Sequence, residues 1–400
     1  MPYYHRVIER TVREYLKLFP VVGLTGPRQS GKSTLLQRLL GAKYRYISFD
    51  DPNTVDRFDA DPERFMGAYS DRVIFDEVQR VPDLFHYVKV IVDNNRSDYG
   101  KFIMTGSSQF AFMKRISESL AGRIGLLTLL PFQFSEIPAG LREESLYLGG
   151  YPELVARKYR GAYDWYSSYV DTYLTRDVRD ISDIGDIRDF RRFIQMLAAR
   201  VAQILNMSEI ARDLGVSVPT IKKWTSVLEA SYIIFLLPPF HKNLGKRIIK
   251  SPKIYFYDTG LVSYLTGIRT RQLFEDGPMY GALFENYVVS EVYKRLIHTR
   301  TDAELFFFRE SNGNEIDLII DRKSTREHIE IKSGHTFRPE MARLLMQLAD
   351  GAEHSWVVYR GKEIALGDGI SAVNFKSFLN ATLVKNRRRA TDRTPASRSS

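Results

Sequence analysis

The residues best suited to chemistry lie in one short run near the N-terminus, at positions 26–33. Gly26, Gly31, Lys32 and Ser33 fill the defined positions of the pattern G-x-x-x-x-G-K-[ST]. Glycine lets the backbone curl so that successive N–H groups face a phosphate, and a following helix N-terminus adds its positive end. The apolar run VVGLT precedes this segment and TLLQRLL follows it. The spacing therefore predicts a strand, a phosphate-binding loop and a helix.

We expect the loop to bind ATP together with Mg²⁺. Lys32 would reach the terminal phosphates, the Ser33 hydroxyl would ligate Mg²⁺, and Thr34 would support the α-phosphate side. The predicted nucleotide-binding residues are Gly26, Pro27, Arg28, Gln29, Ser30, Gly31, Lys32, Ser33 and Thr34.

A second acidic element follows about fifty residues later, where the apolar run VIF ends in Asp76 and Glu77. A strand end beside the phosphate loop is where the second Mg²⁺ contact belongs. We expect Asp76 to hold the metal through water and Glu77 to polarise the attacking water. The run alone would be read as a strand ending in solvated acids, so this interpretation depends on the phosphate loop.

Two further positions are candidates for sensing the γ-phosphate. The run KFIMT leads into Ser107 and Ser108, and either hydroxyl would orient the water or simply cap a helix. Arg123 follows the next helical run and would contact the γ-phosphate in cis or from a neighbouring subunit. The alternative for Arg123 is an ordinary surface arginine.

Residues 208–224 read as a helix–turn–helix, with Gly215 supplying the turn and Val218 and Ile221 packing the second helix inward. A strand pair behind it, at residues 232–237 and 253–257, would make a winged helix. DNA contact and a packing or protein-binding role are equally open. The predicted nucleic-acid contacts are Ser217, Thr220, Lys222 and Lys223.

A last set of acidic residues lies near the C-terminus, on a predicted helix at Glu285 and two predicted strands. Asp317, Glu330 and Lys332 form the pattern D-x12-E-x-K, in which Glu330 and Lys332 share one strand face. Carboxylates that hold Mg²⁺ and a lysine that activates water suit metal-assisted phosphodiester hydrolysis. We expect Asp317 and Glu330 to bind the metal and all four residues to serve catalysis. The alternative is an inert nuclease core kept for packing or binding.

Alternating strands and helices over residues 20–130 must position the phosphate loop, and they predict a parallel α/β sheet. Its predicted strands are residues 21–25, 45–49, 73–75, 102–105 and 124–130. The implied order, with 45–49 between the loop strand and the acidic strand, and the Glu beside Asp76 resemble the additional-strand class of P-loop ATPases. ATP is favoured over GTP because no NKxD motif occurs.

Helical periodicity dominates residues 152–227, and a second α/β unit begins near Gly281. The predicted fold class is α/β, and the predicted units are an ATPase domain at 1–148, a helical and winged-helix domain at 149–268, a PD-(D/E)xK-like domain at 269–383 and a disordered basic tail at 384–400.

The amino-acid composition excludes some classes of protein. The 400 residues are 44% hydrophobic and contain no cysteine, which excludes a disulfide scaffold and a Cys-based zinc site. The net charge is +10, and the tail from residue 385 supplies six of the basic residues against one acid. No apolar run reaches the roughly 18 residues of a membrane span, and the N-terminus lacks the features of a secretory signal. We therefore expect a cytoplasmic protein without a membrane partner.

The motifs GPRQSGKSTLL, VIFDEVQ, FIMTGSSQF, GGYPE, SPKIYFYDTGL, GALFENYVVSE, NEIDLII and IEIKSG occur in order. In these the chain resembles bacterial and archaeal AAA-type ATPases with a C-terminal domain of unknown function, DUF4143, over about residues 5–375. The resemblance implies an additional-strand ATPase domain, a helical middle with winged-helix character and a restriction-endonuclease-like end. The basic tail departs from that pattern.

Three functions compete at this point. The chain is an ATP-driven DNA-processing enzyme, an ATP-dependent switch with an inert last domain, or a module of toxin–antitoxin or defence type. DNA and a second copy of the chain are the candidate partners beside ATP.

Overall fold

The computed structural model describes residues 2–106, 109–174, 187–240, 251–310, 313–347 and 354–381. Ser107, Ser108 and the tail at 384–400 lie outside these ranges. Within them, every helix is too short or too polar to cross a lipid bilayer.

The first unit is built on a five-stranded parallel sheet, in the order β2-β3-β4-β1-β5. All five residues of the loop strand are buried, as a sheet covered by helices on both faces requires. Separate apolar clusters fill the two faces. The strands are β1 (Val21–Thr25), β2 (Arg45–Ser48), β3 (Val73–Asp76), β4 (Phe102–Thr105) and β5 (Ile124–Thr128). The helices are α1 (Ile8–Tyr15), α2 (Lys32–Leu40), α3 (Pro52–Ala60), α4 (Pro62–Ala68), α5 (Leu84–Asn94) and α6 (Gln109–Ser119).

The predicted parallel sheet is confirmed, but the predicted strand order is wrong in one respect. Strand β2 forms the edge of the sheet beyond β3, and the strand between β1 and β3 is β4. A crossover can return on either side of the preceding strand, and hydrophobic periodicity does not encode which side it takes. The strand inserted between the loop strand β1 and the acidic strand β3 is therefore β4.

The middle unit is mainly helical. Its helices are α7 (Arg142–Leu148), α8 (Pro152–Ala156), α9 (Ala162–Tyr169), α10 (Ile187–Ala199), α11 (Met207–Leu214), α12 (Val218–Ala230), α13 (Thr259–Leu265) and α14 (Arg271–Glu275), and a π-helical turn spans Val170–Leu174. Strands β6 (Ile234–Leu237) and β7 (Lys253–Phe256) pair antiparallel. One apolar cluster joins this unit to the C-terminal unit.

Helices α11 and α12 are delimited by local capping. Gly215 ends α11 with a φ of 71°, in the left-handed region that favours glycine. The Ser217 hydroxyl accepts a hydrogen bond from Thr220 N at 3.2 Å and so starts α12. Ile221 is fully buried as predicted, but Val218 is 41% exposed, so the prediction that Val218 packs inward is wrong. Val218 occupies the first helical turn, which projects away from the core.

The C-terminal unit packs helix α15 (Tyr280–Thr299) against a mixed six-stranded sheet, in the order β12-β13-β11-β10-β9-β8. The strands are β8 (Glu304–Arg309), β9 (Glu315–Asp321), β10 (Arg326–Ile331), β11 (His354–Tyr359), β12 (Ile364–Gly367) and β13 (Ile370–Asn374). Short helices α16 (Arg343–Gln347) and α17 (Phe375–Ala381) complete the unit. The sequence analysis did not predict β12 and β13.

Helix α15 also links the first unit to the C-terminal unit through hydrogen bonds. His298 Nε2 accepts a hydrogen bond from Leu130 N at 3.0 Å, and Lys294 Nζ donates to Phe132 O at 3.0 Å. One turn earlier, the Glu291 carboxylate accepts from Phe134 N at 2.5 Å. Burial holds the pKa of His298 well below its usual value, so the imidazole is neutral and can accept this bond.

Candidate nucleotide site and acid cluster

The phosphate loop connects β1 to α2 through two glycines that no other residue replaces without strain. Gly26 has a φ of 139°, and a Cβ there would lie 2.1 Å from Leu129 O. Gly31 has a φ of 90° immediately before the first turn of α2. The loop therefore takes its curled shape only because both positions lack a side chain.

Lys32 lies folded against the loop. Its ammonium donates to Gly26 O at 2.9 Å and to Pro27 O at 3.0 Å, and the residue is 6% exposed. Of the predicted nucleotide-binding residues, those that line one cavity are Arg28, Gln29, Gly31, Lys32, Ser33 and Thr34. Gly26, Pro27 and Ser30 are buried behind that surface.

The loop and the acidic strand meet at one pair of side chains. Ser33 Oγ donates to Asp76 Oδ2 at 2.6 Å, and Asp76 is 3% exposed. The hydroxyls of Tyr46 and Thr105 also contact this carboxylate. Burial and then the hydrogen bond to Asp76 raise the pKa of Tyr46. A hydroxyl beside a carboxylate suits Mg²⁺, which prefers such oxygen ligands, so these residues fit the predicted metal.

Tyr46 and Thr105 were not predicted from the sequence. Thr105 is the last residue of β4, the strand inserted between β1 and β3, and it occupies the strand-end position for which Ser107 and Ser108 were the candidates. The sequence did contain a signal for Thr105, because it is a polar residue at the end of an apolar strand.

Glu77 follows the acidic strand in a left-handed conformation, with a φ of 57°. Its carboxylate contacts the amide of Gln79, and the residue lines the same cavity as Lys32 and Ser33. A left-handed backbone at a glutamate is uncommon, and such conformations concentrate at functional sites.

The cavity beside the loop has a volume of about 610 Å³. Pockets of this size hold ligands as large as a nucleotide. The wall away from the loop comes from the N-terminal segment and from residues after the sheet. Its residues include Pro2, Tyr3, Tyr4, Arg6, Phe132, Pro152 and Ala156.

Arg6 stabilises the phosphate loop through buried hydrogen bonds. Its guanidinium donates to Ser30 O at 3.0 Å, to Leu130 O at 2.6 Å and to Glu136 Oε2 at 3.1 Å. The side chains of Arg6 and Glu136 are 3% and 1% exposed. Arg6 also lies 4.5 Å from the centre of the Phe132 ring. The sequence offered no sign of these contacts, because Leu130 and Glu136 are 124 and 130 residues away from Arg6.

Arg123 does not reach the phosphate loop within the chain. It precedes β5 and pairs with Asp93 through two hydrogen bonds of 2.7 and 2.9 Å. The loop follows the carboxyl end of β1, and β5 runs parallel to β1, so the two sites are separated by the strand length of about 16 Å. The prediction of a γ-phosphate contact in cis is wrong; a contact from a neighbouring subunit stays a prediction.

The predicted nucleic-acid face of α12 is accessible. Lys222 and Lys223 are exposed, and Thr220 is partly exposed. Ser217 is exposed as well, but its hydroxyl caps the helix. The end of this helix leads to Tyr232, whose hydroxyl lies 2.7 Å from Thr25 Oγ1, one residue before the phosphate loop.

The structure brings together three of the four residues predicted for the C-terminal site. Lys332 Nζ lies 3.7 Å from Asp317 Oδ2 and contacts Glu330. Asp317 also accepts a hydrogen bond from Ile331 N at 2.7 Å. Asp317, Glu330 and Lys332 line one cavity of about 450 Å³, together with Glu340 and Arg343.

Glu285 departs from the prediction. It does not line this cavity, because its carboxylate accepts hydrogen bonds from Tyr255 OH at 2.6 Å and Lys253 Nζ at 2.9 Å. Among the described residues, no three acidic or histidine side chains are disposed to hold one metal ion. The two predicted metal ligands, Asp317 and Glu330, lie in one cavity and stay candidate ligands, and the catalytic role of Glu285 stays a prediction.

The raised pKa values of Glu330 and Glu285 reflect burial and the nearby charge of Asp317. Burial, followed by the charge of Asp317, raises the pKa of Glu330 to about 8. The same two causes raise the pKa of Glu285 to about 7. Glu330 Oε2 is buried without a hydrogen-bond partner among the described residues. Two carboxylates of one cavity, one with an unsatisfied oxygen, fit a divalent cation.

Family models match three consecutive stretches of the chain. An AAA domain matches residues 18–138, a domain of unknown function (DUF8612) matches residues 139–272, and a domain of unknown function (DUF4143) matches residues 280–378.

Two relatives match most of the chain. The uncharacterized protein Rv2008c of Mycobacterium tuberculosis is 33% identical over 371 residues, which cover 90% of this chain and 81% of that protein. The uncharacterized protein MJ1544 of Methanocaldococcus jannaschii is 24% identical over 351 residues, covering 79% and 75%. Among solved structures, a Walker-type ATPase of Pyrococcus abyssi, PABY2304, shares 16% identity over 64% of this chain and 94% of that one, with a TM-score of 0.46.

Proposed function

This chain belongs to the family of AAA-type P-loop ATPases with a C-terminal DUF4143 domain, and we propose that it hydrolyses ATP at the cavity beside residues 26–33. The observation that carries the proposal is the contact of Ser33 with Asp76 at 2.6 Å, beside Lys32 and Glu77. A metal-binding hydroxyl and carboxylate, a phosphate-binding ammonium and a base for water thus share one cavity.

Each residue has a separate part in this reaction. The curled loop and the N-terminus of α2 bind the phosphates through backbone N–H groups, and Lys32 exchanges its two carbonyl partners for the terminal phosphates. Ser33 and Asp76 would hold Mg²⁺, which neutralises phosphate charge when bound. Thr105 and Tyr46 orient the Asp76 carboxylate. Glu77 accepts the proton of the attacking water.

The Glu77→Gln variant is expected to bind ATP with nearly unchanged affinity and to hydrolyse it at least about 100-fold more slowly, because a positioned base contributes about that much or more. Phosphate release and equilibrium binding of a fluorescent ATP analogue measure the two quantities. Glu63→Gln, an exposed substitution in α4 of the same unit, is the matched control. Hydrolysis at the wild-type rate by Glu77→Gln would remove Glu77 from the mechanism.

We further propose that the C-terminal unit cleaves phosphodiester bonds in DNA with a divalent cation. The supporting observation is the position of the Lys332 ammonium against both Asp317 and Glu330 at the edge of an open cavity. Asp317 and Glu330 would hold the cation, which supplies Lewis-acid stabilisation of the phosphorane charge when bound. Lys332 would position water or phosphate oxygen. The exposed lysines of α12 favour DNA as the substrate.

Asp317→Asn is expected to reduce nicking of supercoiled plasmid at least about 100-fold in Mg²⁺ or Mn²⁺, because Lewis-acid stabilisation is worth several kcal/mol. Gel separation of plasmid forms with time gives the rate. Asp302→Asn, which alters an exposed ion pair with Lys323 in the same unit, is the control. If the wild type cleaves nothing while it hydrolyses ATP, the alternative function is correct: an ATP-dependent switch with an inert nuclease-like domain.

A further inference from the structure

A lysine from the middle unit is buried against the carboxylates of the C-terminal unit. Lys253 opens strand β7 and is 2% exposed. Its ammonium lies 2.9 Å from Glu285 Oε1 and contacts Glu315, the first residue of β9. It also lies 5.7 Å from the centre of the Phe307 ring. The cluster of acids therefore already contains a cation that the protein itself supplies.

Burial of an ammonium is unfavourable unless opposite charges and hydrogen bonds compensate for its lost hydration. Lys253 receives this compensation from Glu285, which does not line the open cavity, and from Glu315, which does. In contrast, Lys332 and its partners Asp317 and Glu330 all line the cavity. Of the two ammonium groups, Lys253 is therefore buried outside the cavity beside Glu285, and Lys332 faces the cavity, with Glu315 between the two groups.

The formal charges show how many further cations this cluster tolerates. With every group ionised, the residues joined by these ion pairs carry a net charge of −1, from three basic groups and four carboxylates; the acids are Glu285, Glu315, Asp317 and Glu330, and the bases are Lys253, Lys332 and Arg309. One divalent cation changes this to +1, which balances a phosphodiester of charge −1. A second divalent cation would give a net charge of +3, and the repulsion between these positive charges is weakly screened in a partly buried site.

We propose that Lys253 is the fixed cation of this cluster, occupying the Glu285–Glu315 side so that the site takes one divalent cation, at Asp317 and Glu330. The proposal rests on the metal-dependent cleavage proposed above. Glu285 is then a charge partner of Lys253 and not a metal ligand. A positioning residue of the middle unit also completes the C-terminal site, which is formed only when strand β7 is in place.

The number of bound Mn²⁺ ions tests this proposal on the full chain, by isothermal titration and by the loss of the free-ion EPR signal. We expect one Mn²⁺ at this site in the wild type. Lys253→Met releases Glu285 and Glu315, so we expect a second Mn²⁺ to bind.

The control Arg309→Met removes a more exposed cation from the same Glu315 and is expected to leave one Mn²⁺. The double variant Lys253→Met/Glu285→Gln, which removes both buried charges, is expected to return the count to one. Mn²⁺ held by the ATPase site is subtracted with Asp76→Asn versions of every variant.

The outcomes separate this proposal from the one on which it rests. Two Mn²⁺ ions in the wild-type cluster, or one in folded Lys253→Met, would overturn the role of Lys253 and leave metal-dependent cleavage standing. No Mn²⁺ in the wild-type cluster would overturn both proposals. If Lys253→Met does not fold, the wild type and the double variant decide: one Mn²⁺ in each supports the proposal, and two in either contradicts it.

Discussion

Replacement of Lys32 by alanine is expected to lower the rate of ATP hydrolysis by a factor of about 100 to 1,000. In the proposed reaction Lys32 binds the terminal phosphates, where negative charge develops as the γ-phosphoryl group departs. Removing one preorganised donor from such a position costs about that factor. The loop carbonyls of Gly26 and Pro27, which Lys32 contacts at 2.9 and 3.0 Å, do not replace it because they repel phosphate. Steady-state phosphate release gives the rate.

Lys43→Ala provides the comparison for Lys32→Ala. Lys43 is an exposed residue just beyond α2, in the same unit, and the variant makes the same change of charge. We expect wild-type hydrolysis from it. If Lys32→Ala kept half of the wild-type rate, ATP would be hydrolysed elsewhere or by another arrangement of this cavity.

Arg6→Met is expected to lower the free energy of unfolding by about 3–5 kcal/mol, because it leaves a buried charge without its partner. Glu136 is 1% exposed at its side chain, and the carbonyls of Ser30 and Leu130 would lose donors as well. Since Ser30 belongs to the phosphate loop, we also expect weaker ATP binding. Urea denaturation of the full chain, followed by circular dichroism, measures the loss of stability.

An exposed arginine of the same segment isolates the effect of burial. Arg10 pairs with Glu14 at 2.7 Å, with side chains that are 79% and 52% exposed, so Arg10→Met should cost less than about 0.5 kcal/mol. The double variant Arg6→Met/Glu136→Gln, which removes both charges, should recover part of the loss. Equal stability of Arg6→Met and Arg10→Met would show that the buried pair contributes nothing.

The sequence predicted those parts of the fold that local pattern determines. A glycine-rich turn between an apolar strand and an amphipathic helix has one low-energy shape, so the phosphate loop follows from residues 21–40 alone. The parallel sheet follows likewise from alternating strands and helices. Gly215 ends α11 and Ser217 starts α12 through neighbours at most four residues away.

Contacts between distant residues were not predicted, because no local pattern encodes them. Thr105 reaches Asp76 across a strand pairing, and the placement of β4 beside β3 is set by the tertiary fold. Arg123 was misassigned for the same reason, since its position depends on which end of β5 faces the loop. Glu285 belongs to the same acid cluster as Asp317, but Lys253 and Tyr255 of another unit bind its carboxylate outside the open cavity.

Helix α15 contacts both the acid cluster of the C-terminal unit and the segment that follows the sheet of the first unit. Glu285 near its N-terminus belongs to the acid cluster, while Glu291, Lys294 and His298 satisfy backbone groups of Leu130, Phe132 and Phe134 after the ATPase sheet. A fragment ending near residue 268 would leave those backbone groups without these partners, and the remaining piece would leave the Glu285 carboxylate without Lys253 and Tyr255. We therefore expect the separated pieces to be less stable than the same units within the full chain.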